Sequence, residues 1–242
     1  MGISWTLFVA LGLVIGLGAF VQRVAGFGLA VVAAPFVVMA APDLMPASLL
    51  ITVLPLPLLE AVRGRAHVLW RSCSWALLGR LATMPLGVWL VSVASTSVIS
   101  LVVAAMVLAA VAGSFTRIHV QPTPALSGLA GLVTGVSATA ASIGGPFYGL
   151  VLQEQKPQQV RSTLAPFFLI GALASLAGLG VGGQVPREAL IAGVAWMPFM
   201  VLGSVLAQPL RHRIDPTRFK QLMLMLATVA AVAVIVRVAL TV

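Results

Sequence analysis

The sequence predicts an all-α polytopic membrane protein built from two inverted-topology repeats of five helical segments each. Composition, an internal repeat and the placement of Lys and Arg carry that prediction. Of 242 residues, 60% are hydrophobic and 8% charged, with a mean hydropathy of +1.12. Soluble domains are about 45–50% apolar and about a quarter charged. Fourteen basic and five acidic side chains cannot cover so apolar a core, so a soluble globular protein is excluded. Disordered, collagenous and coiled-coil chains need polar sequence or strict repeats and fall with it. The apolar runs are continuous and do not alternate, which excludes a transmembrane β-barrel. A spanning helix takes about 20 residues, so the chain has room for many crossings and no separate extramembrane domain.

Breaks at polar and basic stretches divide the chain into ten segments: Ser4–Val21, Phe27–Ala41, Met45–Ala61, Ser72–Val91, Ser97–Phe115, Ala125–Ala141, Phe147–Leu152, Ser162–Val181, Glu188–Leu206 and Phe219–Val238. The start, Met1-Gly2-Ile3-Ser4-Trp5, lacks the positive n-region of a signal peptide, so the first run is expected to be retained. Gly12-Leu13-Val14-Ile15-Gly16 returns as Gly131-Leu132-Val133-Thr134-Gly135, 119 residues on. Pro46, Thr52 and Pro55 return as Pro157, Thr163 and Pro166, and Met84-Pro85 as Met197-Pro198, at offsets of 111 and 113. Three pairs in the same order indicate two halves, residues 1–118 and 119–242.

Cytoplasmic loops carry the excess of Lys and Arg. With the N-terminus outside and direction alternating, the inner side receives Arg23, Arg63, Arg65, Arg71, Arg117, Lys156, Arg161, Arg211, Arg213, Arg218 and Lys220. The outer side keeps Arg187 and Arg237. The net charge of +9 is thus explained by topology, and no nucleic-acid partner is expected. Five segments per half is odd, so the second half must be inverted. Such repeats are an architecture of secondary transporters, with substrate near the midplane at the repeat interface. Phe27–Ala41 and Phe147–Leu152 are too short to cross comfortably. Six full spans plus two re-entrant or broken-helix hairpins, entering from opposite faces, are therefore expected. Irregular backbone at that depth is tolerated where it is buried in protein or lines a cavity.

The hairpin tips read Val21-Gln22-Arg23-Val24-Ala25-Gly26-Phe27-Gly28-Leu29 and Ala141-Ser142-Ile143-Gly144-Gly145-Pro146-Phe147-Tyr148. Glycine lets a ligand approach the backbone closely. The helix that starts after each tip points its positive dipole end back at the break. Pro146 suits a first helical turn. Arg23 adds a permanent charge and a fork of donors matched to oxyanions, unless it is only a positive-inside anchor. Gln22, Ser142 and Gln153 are candidate hydrogen-bond donors. The resulting substrate-binding candidates are Gln22, Arg23, Gly26, Phe27, Gly28, Ser142, Gly144, Gly145 and Pro146, with Arg80 and Gln153 in second rank. Gly12, Gly16, Gly131 and Gly135 read as helix-packing glycines.

Gln22-Arg23-Val24-Ala25-Gly26-Phe27-Gly28-Leu29-Ala30 followed by Pro35 resembles the first-repeat signature of the TauE/SafE family of sulfite exporters and related anion permeases. Gly131–Gly135 with Ser142-Ile143-Gly144-Gly145-Pro146 is similar to its second-repeat counterpart. The resemblance runs over essentially the whole chain. It implies export of sulfite, sulfonates or other small organosulfur anions by a multi-pass protein of a bacterial inner membrane.

Arg80 lies inside its segment, where an ionisable group is a functional hypothesis by default, although an arginine can also snorkel to the interface. Asp43, Glu60 and Glu154, at segment ends, are the acids available for a coupling proton, or are solvated or salt-bridged there. His67, His119 and His212 lie in basic loops. Cys73 is the single cysteine and reads as a packing residue. Trp5, Trp70 and Trp196 fit an interfacial aromatic belt. No catalytic motif, phosphate loop or metal-ligand spacing occurs, so neither an enzyme nor a cofactor is expected. The expected partners are a small anion, lipid and a coupling proton, with a homo-oligomer left open. The expected function is alternating-access transport of a small oxyanion. A carboxylate or neutral-solute permease and a non-transporting scaffold are the alternatives.

Overall fold

The computed structural model describes residues 4–25, 28–63, 65–115, 120–210 and 215–241. Gly26 and Phe27 of the first tip lie outside the described residues, as do Arg117, His119, Arg211, His212 and Arg213 of the basic loops. Among the described residues the chain is helical and holds no strand. In order it forms α1 (Trp5–Ala25), α2 (Leu29–Ala40), α3 (Ala47–Thr52), α4 (Pro55–Arg63), α5 (Trp70–Val93), α6 (Thr96–Phe115), α7 (Pro124–Ala141), α8 (Gly145–Leu152), α9 (Pro157–Val181), α10 (Arg187–Leu210) and α11 (Pro216–Thr241).

Seven of these, α1, α5, α6, α7, α9, α10 and α11, are long and apolar enough to cross a membrane. Six full spans were expected, and two findings change that number. Both first arms of the hairpins, α1 and α7, reach spanning length, and only the return arms α2 and α8 are short. Conversely, Met45–Ala61 is not one span. It divides into α3 and α4 around Val53 and Leu54. Pro55 and Pro57 lack two amide donors within one turn, and the Pro55 ring crowds the turn before it. In α9 the single Pro166 is accommodated and the helix runs on.

Helix faces turned away from the core keep large aliphatic side chains exposed, among them Leu78, Leu86, Leu202, Val205 and Val229. Hydrocarbon tolerates that surface and water does not. The interior is packed through small residues. α5 runs along α7, where Gly131 and Gly135 face the carbonyls of Ala76 and Arg80, and Gly79 faces that of Gly128. α1 runs along α10 in the same manner, with Gly203 against the Gly16 carbonyl and Gly12 against the Phe199 ring. A Cβ at any of these positions would collide, so these glycines set the helix–helix distance. α6 pairs with α11, and α2 is enclosed between α1, α6 and α11. Val31 to Ala34, Val37 and Val38 of α2 are buried.

Trp196 is not at an interface. It is fully buried, stacks on Phe8 with ring centroids 5.3 Å apart and donates its indole N–H to the Phe8 carbonyl at 3.1 Å. α10 carries it inward against α1, and an indole with a satisfied N–H is at ease in a core. Trp5 and Trp70 stay exposed. Cys73 is buried and its thiol faces the Thr163 carbonyl at 3.7 Å.

Candidate functional site

The first tip follows the end of α1. Gly28 precedes α2 in an extended conformation and has no side chain to cap it. Gln22 does that work from the last turn of α1: its Oε1 accepts the Leu29 N–H at 2.8 Å. The amide nitrogen of Gln22 is left to donate elsewhere, and the residue lines the cavity described below. Arg23 turns away from it. Its guanidinium pairs with Glu60 of α4 at 2.8 Å and ties the end of α1 to the α4 helix.

At the second tip α7 ends at Ala141, and Ser142 adopts a left-handed conformation, φ 60° and ψ 13°. The N–H groups of Ser142 and Ile143 return to the carbonyls of Ala138 and Ser137, a helix end closed by backbone alone. The Ser142 hydroxyl donates to the Pro46 carbonyl at 3.0 Å, which commits its proton to the fold. Gly144 precedes α8, and a Cβ there would come within 2.7 Å of Thr134 Cγ2. Pro146 occupies the first turn of α8, as the sequence leads one to expect.

The fold brings the two tips together. A Cβ built on Gly145 would lie 3.9 Å from the Cα of Gly28, with Phe168 of α9 alongside at 3.5 Å. Neither glycine is needed for packing, since both Cβ positions meet only ordinary contacts. Around them lies a cavity of about 80 Å³, bordered by Gln22, Gly28, Arg80, Ser142, Gly144, Gly145 and Pro146. Leu29, Leu50, Val53 and Met200 make much of its remaining wall apolar. Helix α2 starts here with its Leu29 and Val31 N–H groups taken by Gln22 and the Gly28 carbonyl, and α8 starts here with Pro146, which has no N–H, so each start offers fewer than the usual four open amide groups.

Arg80 is the cation of this cavity. It is 2% exposed, so it does not snorkel to an interface. One guanidinium nitrogen donates to the Phe167 carbonyl at 3.0 Å, and the group lies 5.0 Å over the Phe167 ring. Gly171 of α9 makes room for it, since a methyl there would strike the guanidinium. The buried Nε has no partner, and no carboxylate pairs with Arg80 among the described residues. A buried arginine without a counter-charge costs several kcal/mol, a cost that an anion in the cavity would offset.

The candidate residues thus divide. Gln22, Gly28, Ser142, Gly144, Gly145, Pro146 and Arg80 share one cavity, while Arg23 stands apart on Glu60. Gln153 borders a neighbouring cavity with Lys220. Phe168 escaped the sequence reading, because a phenylalanine in an apolar helix carries no signal of its own. Among the described residues no group of His, Cys, Asp and Glu could hold a metal ion.

The sequence model of the family described as "Sulfite exporter TauE/SafE" matches residues 9–234, nearly the whole chain. No curated protein sequence and no solved structure gives a significant match. The chain belongs to the TauE/SafE family of membrane exporters of sulfite and related organosulfur anions.

Proposed function

We propose that this TauE/SafE family member is a secondary transporter that moves a small organosulfur oxyanion across a bacterial inner membrane by alternating access. The observation that carries the reading is the buried, uncompensated Arg80 facing two helix breaks that meet at Gly28 and Gly145. The anion sits between the tips. Arg80 supplies charge and a fork of donors, Gln22 an amide, and the starts of α2 and α8 supply N–H groups and positive dipole ends. Arg23 acts on the site at one remove, by anchoring the first tip to α4 through Glu60.

The two halves, 1–118 and 119–242, are read as inverted repeats with both termini outside. Exchange of partners supports this reading. The first helix of the first half, α1, packs on α10 of the second, and the first helix of the second half, α7, packs on α5 of the first. Both contacts are glycine-mediated, and α6 meets α11. Rocking of one half against the other around the tips would expose the anion to each side in turn.

The apolar wall favours an organic sulfonate with a short tail over bare sulfite, because one cation in apolar surroundings suits a single negative charge. Purified protein in proteoliposomes, given sulfite and ethanesulfonate with and without a pH gradient, tests the reading. Flux above protein-free vesicles is expected, and its dependence on the gradient reports proton coupling. Absence of flux for both anions would leave the carboxylate or neutral-solute permease and the scaffold as the readings that stand.

A further inference from the structure

A second cavity shares a wall with the first. Gln22, Gly28, Gly145, Pro146 and Phe168 border both. On the side away from Arg80 it extends, with a volume of about 210 Å³, toward Gln153 and Lys220, at the end of the molecule where α8 stops and α11 begins. Arg80 does not border this second cavity, and Lys220 does not border the first. Lys220 is half-buried. Among the described residues the ion pairs are Arg23–Glu60 and Arg218–Asp215, so no carboxylate neutralises Lys220. Glu154, the acid next to Gln153 in the chain, is exposed. At Gly149 a Cβ would meet nothing within 4 Å, so this part of the wall stands open.

We propose that this vestibule is a second anion site, in which Lys220 captures the transported oxyanion before it passes the tips to Arg80. The proposal rests on the transporter reading above. Two cations on opposite sides of a shared wall, each without a carboxylate partner, define a path with two stations. Their chemistry suits the order. An ammonium on a flexible stem is a compact, strongly hydrated point charge. It holds an anion loosely and without demand on its shape. The buried guanidinium fork of Arg80 is dry and directional, and it selects. Lys220 therefore governs how readily the path fills at low anion concentration, and Arg80 governs what is carried.

The test is initial flux in proteoliposomes, at low and high ionic strength, with whichever of sulfite and ethanesulfonate the wild-type protein moves faster. Lys220→Gln is expected to raise KM about five- to tenfold, the scale of one partly screened charge pair, while Vmax changes less than about twofold. Lys220→Arg should restore the wild-type KM. The wild-type KM should rise with salt, and that dependence should flatten in Lys220→Gln. An unchanged KM in Lys220→Gln, or a fall in Vmax at constant KM, would overturn the capture role and leave the transporter reading standing. If Lys220→Gln does not fold, a wild-type KM that ignores salt overturns it equally. A wild-type protein that moves neither anion defeats the organosulfur-transporter reading itself, and this proposal with it.

Discussion

The two tips meet in one cavity but are closed by different means. At the first, a side chain does the closing: Gln22 reaches across the break to the Leu29 N–H, and Arg23 is tethered to Glu60. At the second, the backbone closes the helix end through a left-handed Ser142, and Gly144 lies hard against Thr134. The first tip therefore depends on a removable hydrogen bond and an ion pair. The second depends on backbone shape and the absence of a methyl group. Under the proposed movement of one half against the other, the first tip is the one that side chains can release, and the second is held by its own main chain.

The largest expected effect lies between the tips, at Arg80. Arg80→Met should cut anion affinity roughly 10- to 100-fold, the scale of a lost charged hydrogen bond. The protein should melt no lower, because an apolar replacement for an unpaired buried charge is neutral or stabilising. Binding and thermal melting on the same sample check both halves of that expectation. Lost binding together with a collapsed melting temperature would make Arg80 structural.

Next come the glycines, which separate the tips. Gly144→Ala should destabilise by about 1–3 kcal/mol through overpacking, with partial recovery when Thr134→Ser removes the opposing methyl. Gly28→Ala meets nothing closer than Val31 Cγ2 at 3.8 Å. It should fold as well as wild type and still lose flux, because its methyl projects where the anion approaches. Full flux in Gly28→Ala would remove the first tip from the site.

Side-chain closure gives smaller effects. Gln22→Ala should cost about 1 kcal/mol by leaving the start of α2 uncapped. Gln22→Glu should keep the cap, since its carboxylate also accepts the Leu29 N–H, and yet weaken anion binding by adding negative charge to the cavity. Denaturation midpoints and binding measured together separate these outcomes. Ser142→Gly is the mildest change. Glycine accepts φ 60° without strain, so only the bond to the Pro46 carbonyl is lost, about 0.5–1.5 kcal/mol at most. A larger loss would mean that Ser142 holds more than that one contact.

Much of this was legible before any coordinates. Hydrophobicity alone located the segments of the seven long helices to within a few residues, because a lipid-facing helix must be apolar whatever its neighbours are, although two of them, α1 and α7, were expected only as hairpin arms. Glycines at Gly28 and Gly145 beside short segments marked the breaks, and Pro146 marked the start of α8. The proline pair at 55 and 57 is the instructive miss. Its aliphatic neighbours made Met45–Ala61 look continuous, whereas the missing amide donors divide it.

Composition, the repeat and the glycine-rich breaks are local properties of the chain, and by themselves they determined a helical membrane protein with two interrupted hairpins. Which cation faces the breaks is not local. Arg23 lies next to the first tip in sequence but is drawn to Glu60, 37 residues away. Arg80, on a different helix, is carried to the cavity because α5 packs on α7 and α9. Charge partners and cavity walls come from residues distant along the chain, so only the tertiary structure could decide between the two arginines.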